Sequence, residues 1–309
     1  MHLEGRKPER LFVAVLQHGN EDVGLRAVQN LLIRYRDREL PRSLSVFFAN
    51  IEAARLNQRR LPHQPDYNRV WPGGESEPCP ESDMMRKVVE TMSRGPLFAS
   101  VDLHNNIGLN PHYACINRTD HRFLQLATLF SRTVVYFTQP RGVQSLAFAA
   151  LCPAVTLECG QAGNEHGIDH ATEFLDACLH LESIPEHPVH DRDIDLFHTT
   201  AVVKVHAQAR LGIGNEDGDI VLIHDLEFFN FRELQPGTVF GTVKTGRDDS
   251  LLVIDDRGRN RVEDYFEVEN SQLRLRRTVM PSMLTVNKTA IRQDCLCYFM
   301  ERWPLTKSD

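Results

Sequence analysis

Apolar positions along the chain fall into short continuous runs separated by stretches in which they recur every three or four residues. Residues 11–16 (LFVAVL) form an unbroken run of strand length, the pattern of a strand covered on both faces. From about 22 to 33, Val23, Ala27, Leu31 and Leu32 keep helical spacing, so the start reads strand, loop, helix. Further strands are predicted at 45–49, 98–103, 132–137 and 154–157. Helices are predicted at 52–57, 82–94, 122–130, 144–150 and 170–181, with a Pro/Gly-rich loop over 66–81. Apolar strands alternating with helices predict an α/β fold, with a mostly parallel or mixed sheet flanked by helices.

The pattern changes after a charged, proline-containing stretch at 182–198. Beyond it, runs such as AVVKVHA, DIVLIH, TVFGTVK and SLLVID are punctuated by turn signals, which predicts a smaller β-rich C-terminal domain. The expected division is 1–190 for the α/β domain and 191–309 for the β-rich one, which would cap a substrate cleft.

Composition narrows the partners. The chain has 309 residues, 35 Lys plus Arg against 42 Asp plus Glu, and a formal charge of -7. That balance argues against bulk attraction to nucleic acid or anionic lipid. The longest apolar runs fall far short of the roughly 18–20 residues of a membrane span. Seven scattered cysteines and a charged start without a signal-peptide core predict a reducing, cytoplasmic setting. Whether the protein is a homo-oligomer is left open.

Fourteen histidines prompt a search for metal ligands. Catalytic zinc sites often use two His and one Glu and leave a position for water. With 21 Glu in the chain, about one His-x-x-Glu is expected by chance. Three occur, at His18/Glu21, His170/Glu173 and His224/Glu227. Only the first follows a strand and opens a helix, and ligands of open α/β sheets gather at the carboxyl ends of strands. Two other predicted strands end in suitable groups: His104 in SVDLHNN and Glu158 in AVTLECG. If these strands are neighbours, His18, Glu21 and His104 become three ligands and Glu158 a free carboxylate, with Asp102 placed to hold the second nitrogen of His104. Buried polar residues with structural roles are the competing reading. Cys159, next to Glu158, is expected to pack in the core.

At these residues the sequence resembles the succinylglutamate desuccinylase/aspartoacylase family, the acyl-amino-acid branch of the zinc carboxypeptidase-like fold. The matching blocks run in order: HGNE at 18–21, NIEAARLNQRR at 50–60, DYNR at 66–69, DLHNN at 102–106 and LECG at 157–160. The resemblance covers about 11–180 and, more loosely, ELQPGTVF at 233–240. It implies one Zn2+ per chain held by His18, Glu21 and His104, with Glu158 as the catalytic carboxylate. It further implies that Arg59, or its neighbour Arg60, faces the scissile carbonyl, and that Asn68 and Arg69 bind a substrate carboxylate. The implied activity is zinc-dependent removal of an acyl group from a small N-acyl amino acid, within amino acid metabolism. A metallocarboxypeptidase acting on peptides and a non-catalytic zinc-binding protein are the alternatives. The sequence departs from the family before Glu158, where the nearest upstream arginine is Arg141, and at a C-terminal substrate-side tyrosine, for which Tyr265 is the nearest counterpart.

Overall fold

A computed structural model describes residues 1–244 and 248–305. The stretches 245–247 and 306–309 of the expected C-terminal domain lie outside the described residues. Two compact units divide the chain. The first comprises Met1–Asn105, His112–Leu196 and the described residues from Pro304; the second comprises Asn106–Pro111 and Phe197–Trp303.

In the first unit the elements run β1 (His2–Leu3), β2 (Gly5–Val15), α1 (Val23–Arg34), β3 (Leu40–Phe48), α2 (Ile51–Arg55), α3 (Pro80–Met92), β4 (Leu97–Asn106), β5 (Tyr113–Ile116), α4 (His121–Thr128), β6 (Thr133–Tyr136), α5 (Gln144–Phe148), β7 (Ala154–Gln161) and α6 (Glu165–His180). The strands are ordered β1-β3-β2-β4-β7-β5-β6. β2 is parallel to both β3 and β4, whereas β1 and β7 run antiparallel to β3 and β5. The sheet is therefore mixed, and β2, β4 and β7 are consecutive neighbours.

Where the elements differ from the sequence reading, the cause is local. β2 starts at Gly5 because its polar first half pairs with β3, and its register slips beside Pro8, which has no N–H to give a ladder. Four-residue β5 is too short to show a period. α6 begins five residues before the predicted start, capped by Asn164, whose side chain accepts from the His166 N–H. Gly167, which masks this first turn, is needed there: a Cβ would stand 2.1 Å from the Cys159 carbonyl oxygen. Glycine lets the helix lie directly on β7.

In the second unit, β8 (Asp195–Val205) pairs antiparallel with β12 (Leu251–Asp255) and β16 (Cys297–Arg302), and β16 with β15 (Met280–Ser282). A five-stranded sheet has the order β13 (Phe266–Glu269), β14 (Gln272–Leu275), β11 (Val239–Val243), β10 (Ile220–Leu222), β9 (Leu211–Ile213). Short helices α7 (Val262–Tyr265) and α8 (Lys288–Gln293) complete it. Its core gathers Phe240, Phe266 and Phe299, with Tyr265 stacked on Phe299 at 5.4 Å. This smaller β-rich part agrees with the predicted fold class.

Gly19 carries the packing of the first unit into its polar region. A Cβ there would stand 2.2 Å from the Ala54 nitrogen and 2.3 Å from the Ala53 carbonyl carbon, and its own N–H donates to the Arg59 carbonyl at 3.1 Å. Gly19→Ala is expected to destabilise the protein by about 1–3 kcal/mol through this clash. The unfolding midpoint measures it; an unchanged midpoint would mean that α2 moves aside freely.

Candidate metal centre

β2 ends at Val15, and the next residue, Leu16, has φ 61°, a left-handed conformation uncommon outside glycine. Backbone hydrogen bonds hold it there: Ala49 N–H donates to Val15 O at 3.0 Å and Asn50 N–H to Leu16 O at 2.8 Å. The chain turns out of the sheet at this point, and the Glu21 N–H donates back to His18 O at 3.1 Å. His18 and Glu21 are thereby brought beside His104 near the end of β4.

Glu21 offers one oxygen to each imidazole. Its Oε1 lies 2.7 Å from His18 Nδ1 and its Oε2 lies 2.7 Å from His104 Nδ1. The remaining ring nitrogens face aspartates: His18 Nε2 is 3.0 Å from Asp66 Oδ1, and His104 Nε2 is 3.0 Å from Asp102 Oδ2. All three candidate ligands are buried, and Asp102 is fully so.

Burial alone would push the Glu21 carboxyl up, but His18 and His104 outweigh it and hold it far below the usual carboxylate range. Asp66 behaves alike: burial raises it, and His18, Arg59 and Arg69 pull it well below its ordinary value. Burial lowers His104, yet Asp102 and Glu21 lift it well above the ordinary imidazole value. His18 is lowered by burial and by Arg59, and Glu21 and Asp66 reverse the sign to a net rise.

This donor set fits a divalent cation. Among the described residues, His18, Glu21 and His104 form the group whose ligand atoms all lie within 4.8 Å of one another. A divalent ion carries the same charge as the two Nδ1 protons that the raised imidazoles otherwise hold, so exchanging one for the other keeps the buried charge balanced. The Nε2–H groups would still donate to Asp66 and Asp102, the outer contacts that orient metal-ligating histidines. Two imidazoles and one carboxylate suit zinc.

Glu158 lies on β7, the strand beside β4, in register with Tyr113 of β5. The Ser100 N–H donates to Pro153 O at 2.9 Å where β7 is about to begin, and the Cys159 thiol is pushed well up by burial, then by Glu158 and Glu21. Cys159 itself is fully buried.

The adjacent arginines diverge. Arg59 Nη2 is 3.0 Å from Asp66 Oδ2 and its Nη1 is 3.7 Å from Glu21 Oε1, whereas Arg60 Nη1 donates to the Gln64 carbonyl at 2.7 Å. Gln64 organises this loop, its Oε1 accepting from the Asn50 side chain at 2.9 Å and from the Leu61 N–H at 3.0 Å. Asn68 and Arg69 sit in a 3-10 turn, Tyr67–Arg69, capped by Asp66, which accepts from the Asn68 N–H at 2.9 Å. Among the described residues the buried Asn68 side-chain oxygen has no hydrogen-bond partner. Gly142 packs under this turn: a Cβ on it would meet Arg69 O at 2.2 Å, and its carbonyl accepts from the Trp71 N–H at 3.0 Å. Trp71 is buried against Phe47 and Phe148, and its indole nitrogen lies 3.4 Å from Gln17 Oε1.

The structure thus brings His18, Glu21, His104 and Arg59 together, with Asn68 and Arg69 on the turn that Asp66 ties to them. Asp66 is the residue that sequence reasoning missed, although it opens the DYNR block; an acid in a polar loop looks solvated until its partners are seen. Arg141 is exposed, beside Gly142. Tyr265 is a core residue of the second unit, with Arg277 over its ring at 5.0 Å. The other two His-x-x-Glu pairs do not assemble. Glu173 pairs with Arg34, and Glu227 accepts from Thr285 and from the Val286 N–H.

Residues 9–183 match the model of the succinylglutamate desuccinylase/aspartoacylase catalytic domain. Among solved structures, succinylglutamate desuccinylase from Chromobacterium violaceum is similar at 17% identity and a TM-score of 0.63, over 98% of this chain and 87% of that one. A succinylglutamate desuccinylase/aspartoacylase from Rhodobacter sphaeroides gives 14% identity and 0.64, over 98% and 88%. Murine aminoacylase 3 gives 14% identity and 0.61, over 97% of both chains. No curated protein matches by sequence. At such identities the structural likeness speaks for the fold, while the family match spans more than half of the chain. The ordered blocks from HGNE to LECG and the mixed sheet that seats them agree with that match, and the chain belongs to the succinylglutamate desuccinylase/aspartoacylase family.

Proposed function

We propose that this protein is a zinc-dependent amidohydrolase that releases the acyl group of an N-acyl amino acid. The observation that carries the reading is the sharing of Glu21 between His18 Nδ1 and His104 Nδ1, with Asp66 and Asp102 behind the two rings. Such outer carboxylates fix ring orientation and raise ligand basicity. The family match and relatives named succinylglutamate desuccinylase and aminoacylase 3 support the substrate class.

A zinc ion held by His18, Glu21 and His104 would supply Lewis acidity, polarising the scissile carbonyl and lowering the pKa of water toward neutrality. Glu158 is assigned the proton transfer: its carboxylate takes the proton of the attacking water as oxygen bonds to the acyl carbon. The same group then delivers that proton to the nitrogen as the C–N bond breaks, giving a free carboxylate and an amino acid. Arg59 is assigned to the carbonyl oxygen, where a guanidinium stabilises developing negative charge. Its pairing with Asp66 fixes the fork beside the ligands. Arg69 is assigned to a substrate carboxylate, which its planar fork can bind bidentately, and the NH2 of Asn68 is assigned as a further donor beside it. These local cations would capture an anion against the net charge of -7. Among the described residues no helix is long and apolar enough to cross a membrane.

Glu158→Gln is expected to retain zinc by elemental analysis while kcat falls by about 10²–10⁴-fold; unchanged turnover would remove Glu158 from proton transfer. Asp66→Asn should weaken zinc retention or activity by about 10–100-fold, through loss of the negative charge behind His18, and equilibrium dialysis against a competing chelator reads the change. The function as a whole is tested by assaying N-succinyl, N-acetyl and N-formyl amino acids beside short peptides. Cleavage of peptides alone would replace the reading with a carboxypeptidase. In the same assay Arg69→Ala should chiefly raise KM for carboxylate-bearing substrates, and an equal loss on an uncharged amide would count against carboxylate binding.

A further inference from the structure

Just beyond Glu158, three histidines that the reaction does not use come together. His166 and His170 stand at i and i+4 in the first turns of α6, and therefore share one helical face. His112, the residue before β5, faces them, with ring centroids 5.6 Å from His166 and 5.1 Å from His170. Phe130 buttresses the group, stacked near-parallel on His112 at 6.1 Å and contacting His170 at 4.4 Å. Glycine provides the room: a Cβ on Gly160 would stand 2.8 Å from His112 Nε2.

The hydrogen bonding distinguishes this group from a solvated patch. His170 Nε2 lies 2.7 Å from the Phe130 carbonyl oxygen, which can only accept, so Nε2 carries the proton and Nδ1 keeps its lone pair. A ring nitrogen bound to a backbone carbonyl, with the other left as a donor, is the usual state of a metal-ligating histidine. Among the described residues neither the His112 ring nor the His166 ring makes a hydrogen bond; the Ser131 hydroxyl donates to the His112 backbone carbonyl and the His166 backbone N–H donates to the Asn164 side chain. Among the described residues no ion pair joins any of the three to a carboxylate. Burial, then His170 and His166, lower the His112 pKa and so favour the neutral form that ligates.

We propose that His112, His166 and His170 form a second, exchangeable site for a late divalent transition ion, one that all-imidazole donors accept and hard cations do not. The donors are set wider than those at Glu21, and closure requires the exposed His166 to swing towards the other two. The bound ion would join the start of β5 to the start of α6. Tyr113 pairs with Glu158 beside one of these ends, and Cys159 carries Gly167 at the other. The site does not depend on the reaction assigned to the first centre.

The test is equilibrium dialysis of the full chain against excess zinc, followed by elemental analysis, in wild type, His166→Ala and His170→Gln. Wild type is expected to hold one equivalent more than either variant, and a variant of the exposed His187 to match wild type. Cu2+ bound to His104→Ala protein, in which the first centre is disabled, should show an electron paramagnetic resonance spectrum with coupling to several imidazole nitrogens. That coupling should disappear when His166→Ala is added. Equal zinc content in wild type and both variants, or a Cu2+ spectrum indifferent to His166, would overturn the proposal. Because the readout is a difference of one equivalent, it stands whether or not the first centre holds zinc. His166 is exposed, so its variant tests the site without disturbing the core.

Discussion

A buried carboxylate, Glu21, presents one oxygen to each of two buried imidazoles, and the other charges of the centre are arranged around that contact. Taking an ionised carboxylate out of water costs several kcal/mol unless it is paired. Here the pairing is complete on the ligand side: His18 and His104 face Glu21, and Asp66 and Asp102 face the histidines in turn. Arg59 closes one end by reaching both Asp66 and Glu21. The set could hold a metal ion because the same nitrogens that meet Glu21 can turn their lone pairs to a cation while the outer aspartates keep their hydrogen bonds.

Such a network demands exact backbone placement, and the chain obtains it through close approaches rather than through long elements. Leu16 takes a left-handed conformation so that a strand can end in a sharp turn, and two backbone hydrogen bonds from residues 49 and 50 hold it. Gly19 lets the turn touch α2, which sets the position of Arg59. Gly142 does the same for Arg69, and the buried Trp71 anchors that turn from below. Each contact is between backbone atoms, where flexible side chains cannot absorb an error.

Some of this was legible in the sequence, for identifiable reasons. His18, His104 and Glu158 each terminate an apolar run, and the end of a buried strand is where a polar residue must find a partner or a function. α1 was legible from the spacing of Val23, Ala27 and Leu31, which all turn out buried. The polar half of β2, four-residue β5 and the first turn of α6 were not, since pairing, shortness and a packing glycine each hide the periodic signal. Arg59 and Arg60 are equivalent in the sequence; only the loop built on Gln64 turns one inward and the other to a carbonyl. Asp66 had no period or motif of its own to separate it from the other acids of polar loops.

The sequence by itself determined the fold class and the candidate ligand types, because strand-length apolar runs and the polar groups that end them are local properties of the chain. Tertiary structure decided which of those ends are neighbours, through the order β2-β4-β7 that places residues 104 and 158 on adjacent strands and residue 18 just past the end of the strand beside them. It also decided the partners of each charge, including Asp66 behind His18 and the carbonyl of Phe130 behind His170. Those pairings join residues 48 and 40 positions apart, and strand order and burial, unlike periodicity, act across that separation.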